Sequence, residues 1–217
     1  MKQSTVYFRL FLLVFQLSLL FSTRVQVAFG GHIGCGSVIK LTHLGSGGDF
    51  TLSSSSQAWG GGSGQQVVTL VSDKAEHSAL WQIREGNDEP QCHTGTAIKC
   101  GQVIRLTHLL SKKNLHTHHI PSAISRQQEV SGFGEEGEGD HGDDWKVLCS
   151  GKTWQKGQTV RLEHVGTGAY LGASQNFMFN EHNCRNCPIL NHMEVVGTRR
   201  ADETTHFKAT LGIFLSV

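Results

Sequence analysis

VIKLTHL (Val38–Leu44) returns along the chain as VIRLTHL (Val103–Leu109) and again as TVRLEHV (Thr159–Val165). Each copy follows a glycine and a polar residue, Gly36-Ser37, Gly101-Gln102 and Gly157-Gln158, which is turn chemistry at a strand entrance. In VIRLTH, Ile104, Leu106 and His108 fall on one face and Val103, Arg105 and Thr107 on the other, a period of two. Three further markers follow each copy in the same order. The second is FTL (Phe50–Leu52), NLH (Asn114–His116) and YLG (Tyr170–Gly172); the third is QQVV (Gln65–Val68), QQEV (Gln127–Val130) and HMEV (His192–Val195). The fourth is LWQI (Leu80–Ile83), DWKV (Asp144–Val147) and HFKA (His206–Ala209), with Trp81, Trp145 and Phe207 at one recurring position.

Glycine- and serine-rich turns separate the markers, and no segment sustains a helical period. Ordered self-similarity of this kind identifies a repeated supersecondary unit. A unit of four short strands buries little by itself, and three independent domains of that size would be marginal. Sharing one core about a threefold axis solves the burial problem and leaves few bare strand edges. The expected fold is therefore all-β, a β-trefoil, with repeats at 31–92, 93–150 and 151–212.

The first 30 residues are of a different kind. Lys2 and Arg9 precede or open an apolar run, Leu10–Phe21, that is short for a bilayer span and matches the apolar region of a secretory signal, with an uncleaved anchor as the alternative. Ala28 and Gly30 supply small residues for cleavage. Loss of residues 1–30 would remove Lys2, Arg9 and Arg24 and no acid, shifting the formal charge from +1 to −2. Neither value suggests a nucleic-acid partner. Six cysteines in a secreted chain favour disulfides.

CGSVIKLTH, GGGSGQQ (Gly60–Gln66), CGQVIRLTHLLSKKNLHTHH, QQEVSGFGEEGEGD and WQKGQTVRLEHVGTGAYL together resemble the stromal-cell-derived factor 2 family, proteins of three MIR repeats. The resemblance runs over about residues 35–214 and implies a β-trefoil. It also implies a soluble protein of the endoplasmic reticulum lumen that binds a DnaJ-type co-chaperone, assists the lumenal Hsp70 with unfolded clients and takes part in the unfolded-protein response. Relatives usually end in a retention tetrapeptide of the HDEL type, whereas this sequence stops at GIFLSV, which leaves a truncated chain, secretion or retention through a partner open.

Within the histidine-rich KNLHTHHIP (Lys113–Pro121), LHTHH corresponds to LSSSS (Leu52–Ser56) and LGASQ (Leu171–Gln175) in the other copies. On a strand, His116 and His118 share one side and His119 takes the other, so the cluster offers two imidazoles to any one ion, too few for a tight metal site. A structural role, or a partner or ligand surface formed by His116, His118, His119, Trp59, Gln127 and Gln128, fits better. His108 recurs as His43 and His164 and is read as a structural hydrogen-bonding residue.

Cys92 and Cys100 bracket a short loop and are expected to pair; Cys35 and Cys149 are expected to pair across the trefoil. Cys184 and Cys187 lie in NCRNC, where H-x-C-x2-C-x4-H invites zinc, but an oxidising lumen favours a local disulfide or surface thiols. EEGEGDHGDD (Glu135–Asp144) lacks the spacing of a calcium loop and reads as a solvated loop. GGGSGQQ lacks the Lys-Ser/Thr and helix that cradle phosphate. No nucleophile and base can be assembled, so a non-enzymatic module without cofactor is expected. A lectin-like module using Trp59 or Phe177 as an aromatic platform is the alternative.

Overall fold

The computed structural model describes residues 31–72 and 77–216; the expected signal segment lies outside them. The described chain forms twelve strands in three quartets: β1 (Val38–His43), β2 (Phe50–Ala58), β3 (Gln66–Val71), β4 (Trp81–Glu85); β5 (Val103–His108), β6 (Asn114–Pro121), β7 (Gln128–Phe133), β8 (Trp145–Leu148); β9 (Thr159–His164), β10 (Tyr170–Met178), β11 (Met193–Thr198), β12 (Phe207–Ile213). Each quartet has a single-turn 3₁₀ helix before its last strand, η1 (His77–Ala79), η2 (His141–Asp143) and η3 (Glu203–Thr205). No helix among the described residues is long and apolar enough to cross a membrane.

The strands answer the edge problem by closing on themselves. First and last strands of the quartets pair in a ring, β1–β4–β5–β8–β9–β12 and back to β1, all antiparallel. The hairpins β2–β3, β6–β7 and β10–β11 cover one end of this barrel and meet in a triangle through β3–β7, β7–β11 and β11–β3. This is a β-trefoil. At the other end, residues outside every repeat marker close a second triangle. The Ile33 amide donates to the Trp154 carbonyl (2.8 Å), Ile98 to Ile33 (2.9 Å) and Trp154 to Ile98 (2.8 Å).

One core fills the body. Trp81, Trp145 and Phe207 are fully buried, with Ile39, Leu41, Ile104, Leu106, Val160 and Leu162 from the three opening strands around them. Trp81 Nε1 donates to the Leu52 carbonyl at 2.9 Å and Trp145 Nε1 to that of Leu115 at 2.8 Å, so each indole N–H is satisfied inside the core. Phenylalanine needs no such partner and completes the trio. The alternation read in VIRLTH holds on the core face, but Arg105 and Thr107 on the other face are buried as well. The β7–η2 loop lies over Arg105, whose guanidinium donates to the Glu85 and Gly137 carbonyls.

The disulfides correct the expected pairing. Cys35 joins Cys92 and Cys100 joins Cys149, with Cα–Cα distances of 6.1 and 5.2 Å. Neither the Cys92–Cys100 nor the Cys35–Cys149 bond forms. The reason lies in the pseudosymmetry: Cys35 follows Ile33, and Cys100 follows Ile98, at the same distance, so each ties the basal triangle to the far end of its own repeat. Cys184 and Cys187 form a local disulfide, and their sulfurs are not free for zinc.

Candidate functional site

The recurring histidines are structural, as their repetition implies. Each packs on the buried ring of a neighbouring final strand, and His43 and His108 donate through Nε2 to the carbonyl in the middle of a 3₁₀ turn, Thr204 (2.8 Å) and Ser78 (2.9 Å). Burial, which disfavours the imidazolium, lowers the pKa of all three.

His116 is also turned inward. It is 4% exposed; Nδ1 lies 2.9 Å from Asp143 Oδ1, and the ring lies 4.6 Å from that of Phe133. The same position in the first repeat is Ser53, which donates to the Ser78 carbonyl, and in the third Gly172, where the chain passes close to Thr204. In the first two repeats this side chain fastens the hairpin to its 3₁₀ turn; in the third, glycine leaves room for the close approach. His118 is half-buried beside His116, ring centroids 5.1 Å apart, with Nε2 3.6 Å from Glu129 Oε1. Its pKa is lowered, first by burial and then by His116. Of the three histidines expected to form one surface, only His119 is exposed.

The run Glu135–Asp144 is likewise only partly a solvated loop. Asp143 is fully buried and Asp144 nearly so. Asp143 accepts from Asn114 Nδ2 (2.9 Å), His116 Nδ1 and the Asp140 amide (3.1 Å), while Asp140 caps η2. His116, Asp140 and Asp143 bring ligand atoms within 4.8 Å of one another, as do Cys35, Glu85 and Cys92. In the first set the carboxylates already serve protein donors; in the second the sulfurs are bonded to each other.

Trp59 does not stand out as a platform. It is half-buried, with Nε1 3.4 Å from the Val130 carbonyl and its ring 5.8 Å from Phe179. There it joins a small apolar cluster of Val67, Phe179 and Ile189 against which the Cys184–Cys187 bridge packs. Val67 corresponds to Glu129 and Glu194 in the other repeats, and each of the three reaches the hairpin loop of the preceding repeat. Glu129 holds Ser63 by hydrogen bond, and Glu194 accepts from the Ile124 and Ser125 amides at 2.6 and 2.9 Å.

Where hairpins meet, clefts open. The larger, about 840 Å³, lies between β6–β7 and β10–β11 and brings together His119, Gln127, Gln128 and Phe177 with Arg126, Arg199 and Arg200. Gln128 works within the fold: its Nε2 bridges Thr117 Oγ1 and Thr167 Oγ1, both at 2.9 Å, stitching the second repeat to the third. A smaller cleft of about 490 Å³ occupies the pseudo-equivalent place between β2–β3 and β6–β7, where Gly132, Phe133, Gly134 and Glu135 stand for Gly197 to Arg200. Glycine at 132 and 197 avoids crowding, since a Cβ would meet the Cβ of Gln66 at 3.3 Å and of Gln128 at 3.2 Å.

The larger cleft is cationic by sequence choice. All three arginines are exposed, and no ion pair among the described residues engages them. The one carboxylate at the cleft, Asp202, is committed to capping η3, and its hydrogen bonds from Thr204 lower its pKa. Arg126 has φ +61°, and its counterparts are Gly64 (+68°) and Asn191 (+65°). Glycine and asparagine suit this left-handed conformation; for arginine it costs about 1 kcal/mol. The sequence carried a signal for this site in the TRR of Thr198–Arg200 and in the G/R/N exchange before the third marker, but only the fold shows that they face one cleft.

The closed trefoil contains a MIR domain: the MIR domain family matches residues 51–148. The chain is 44% identical to mouse (Mus musculus) stromal cell-derived factor 2-like protein 1, over 87% of this chain and 80% of the relative. Its fold matches the crystal structure of the SDF2-like protein from Arabidopsis thaliana with a TM-score of 0.78 and 34% identity, covering 86% of this chain and 99% of that one. It also matches part of the S. cerevisiae protein O-mannosyltransferase complex solved with its sugar donor, TM-score 0.71 and 25% identity, covering 90% of this chain and 27% of that one. The chain belongs to the stromal cell-derived factor 2 family.

Proposed function

We propose that this protein is a non-enzymatic binding module of the endoplasmic reticulum lumen that joins a DnaJ-type co-chaperone and through it supports the lumenal Hsp70 and its unfolded clients. The observation that carries the reading is the cleft between the second and third repeats. Its exposed groups recognise other molecules by charge, hydrogen bonding and stacking, and they stand on a body cross-linked by three disulfides, which suits an oxidising compartment. Family membership supports the chaperone setting.

A lectin-like role is the second reading, favoured by one observation: the Phe177 ring and the Asn176 amide share the cleft. Affinity purification of the tagged full-length chain from a lumenal lysate tests the two together. Recovery of a DnaJ-type protein with the lumenal Hsp70 supports the first reading. Failure to recover either, with sugar-competed binding on a glycan array, replaces it with the second.

A further inference from the structure

We propose that the arginine cleft is a receptor for an extended acidic peptide segment of a partner protein. The proposal rests on the reading of the chain as a binding module, whichever co-chaperone it serves.

Three observations converge on it. First, Arg126, Arg199 and Arg200 come from two different repeats onto one cleft and none makes a close ion pair among the described residues, Arg200 acting on Asp202 only at longer range. Guanidinium groups match carboxylates in a planar, two-bonded geometry that lysine cannot supply. Second, Arg126 occupies a left-handed backbone position that the other repeats fill with Gly64 and Asn191. Holding a long L side chain there opposes local stability, and the fold does not use its guanidinium; an outlier of this kind points to function. The pseudo-equivalent cleft has Gly64 at this position and Glu135 opposite it, so the charge belongs to one cleft and not to the trefoil as such.

Third, both hairpins carry a break in ladder register at the cleft. On β6, Thr117 pairs with Val130 and Pro121 with Gln128, leaving His118–Ile120 facing Glu129 alone without ladder partners. On β10, Ala173 pairs with Val195 and Met178 with Met193, leaving Ser174–Phe177 in the same state. Backbone released from its ladder is a surface onto which a peptide adds by main-chain hydrogen bonds, although the Asn176 amide already donates to Ser174 Oγ at 3.3 Å. A sulfated or phosphorylated glycan would satisfy the arginines but would not use this edge, which favours the peptide.

The test is fluorescence anisotropy on the full chain with a short fluorescein-labelled peptide alternating Glu and Ser, its Gln counterpart, and a sulfated heparin fragment as competitor. The expected result is saturable binding of the Glu peptide, roughly tenfold tighter than the Gln peptide and weakened by salt. Arg126→Gly, which installs the residue of the first repeat, should lower affinity at least about fivefold while leaving the melting temperature unchanged or higher. R199S/R200S should abolish binding. Equal affinity for the Gln peptide, an unaffected Arg126→Gly variant, or heparin bound in preference to peptide would each overturn the proposal. Capture of the co-chaperone in parallel keeps the two readings apart. Capture without peptide binding removes the acidic-segment proposal alone; peptide binding without capture removes the co-chaperone and leaves the cleft.

Discussion

The His108 imidazole lies 5.1 Å from the Trp81 ring at an interplanar angle of 54°, and the same contact recurs between His43 and Phe207 (5.1 Å, 52°) and between His164 and Trp145 (5.2 Å, 57°). Each pair locks the opening strand of one repeat to the last strand of another, so the three contacts mark the pseudo-threefold axis. His108→Ala removes the ring contact and the hydrogen bond to the Ser78 carbonyl, a loss of about 2 kcal/mol measured by urea unfolding. His164 Nε2 faces the 3₁₀ turn without closing a hydrogen bond, so His164→Ala should cost less.

Acid should weaken the fold through its buried histidines. His43, His108, His118, His164 and His206 all have folded-state pKa values below 6.5, with burial the first cause in each. The unfolded chain therefore takes up protons more readily as pH falls through 6.5. This contribution to stability is complete above that pH and is lost below it. Exposed His141, raised by its hydrogen bond to Asp144, acts in the opposite sense. The melting temperature should be flat from about pH 8 to 7 and decline from pH 6.5 to about pH 5.

The disulfides carry much of the stability of the basal end. Bridges spanning sequence separations of 57 and 49 residues restrict the unfolded chain by about 4 kcal/mol each on a chain-entropy account. C35S/C92S should lower the melting temperature steeply, whereas C184S/C187S, which opens a separation of 3, should change it little. Peptide mapping without reduction should yield Cys35–Cys92 and Cys100–Cys149; a Cys92–Cys100 fragment would contradict the fold.

Asp143 is a fully buried carboxylate that fixes β6 to η2 through Asn114 and His116. Asp143→Ala strands His116 Nδ1 among buried groups and should cost about 2–3 kcal/mol. Partner binding should be unchanged once the variant is folded, because none of these groups lines the arginine cleft.

The trefoil was legible because its information is repeated. VIKLTH, VIRLTH and TVRLEH carry the barrel strands, and Trp81, Trp145 and Phe207 announce one shared core. The cysteine pairing was not legible, because the Ile33–Trp154–Ile98 triangle that sets it lies outside the repeated markers and joins residues far apart in the chain. The partner that fixes His116 was not legible, because Asp143 arrives on a short 3₁₀ turn with no periodic signal. Arg126 and the Arg199–Arg200 pair are each ordinary in sequence. Only docking of two hairpins makes them a site.

Hydrogen exchange of the purified chain, alone and saturated with a DnaJ-type partner, tests the binding account most directly. It predicts new protection at His118–Ile120, Arg126–Gln128 and Gly197–Arg200, around the cleft. Unchanged exchange everywhere, or protection confined to the opposite end near the Cys100–Cys149 bridge, would contradict it.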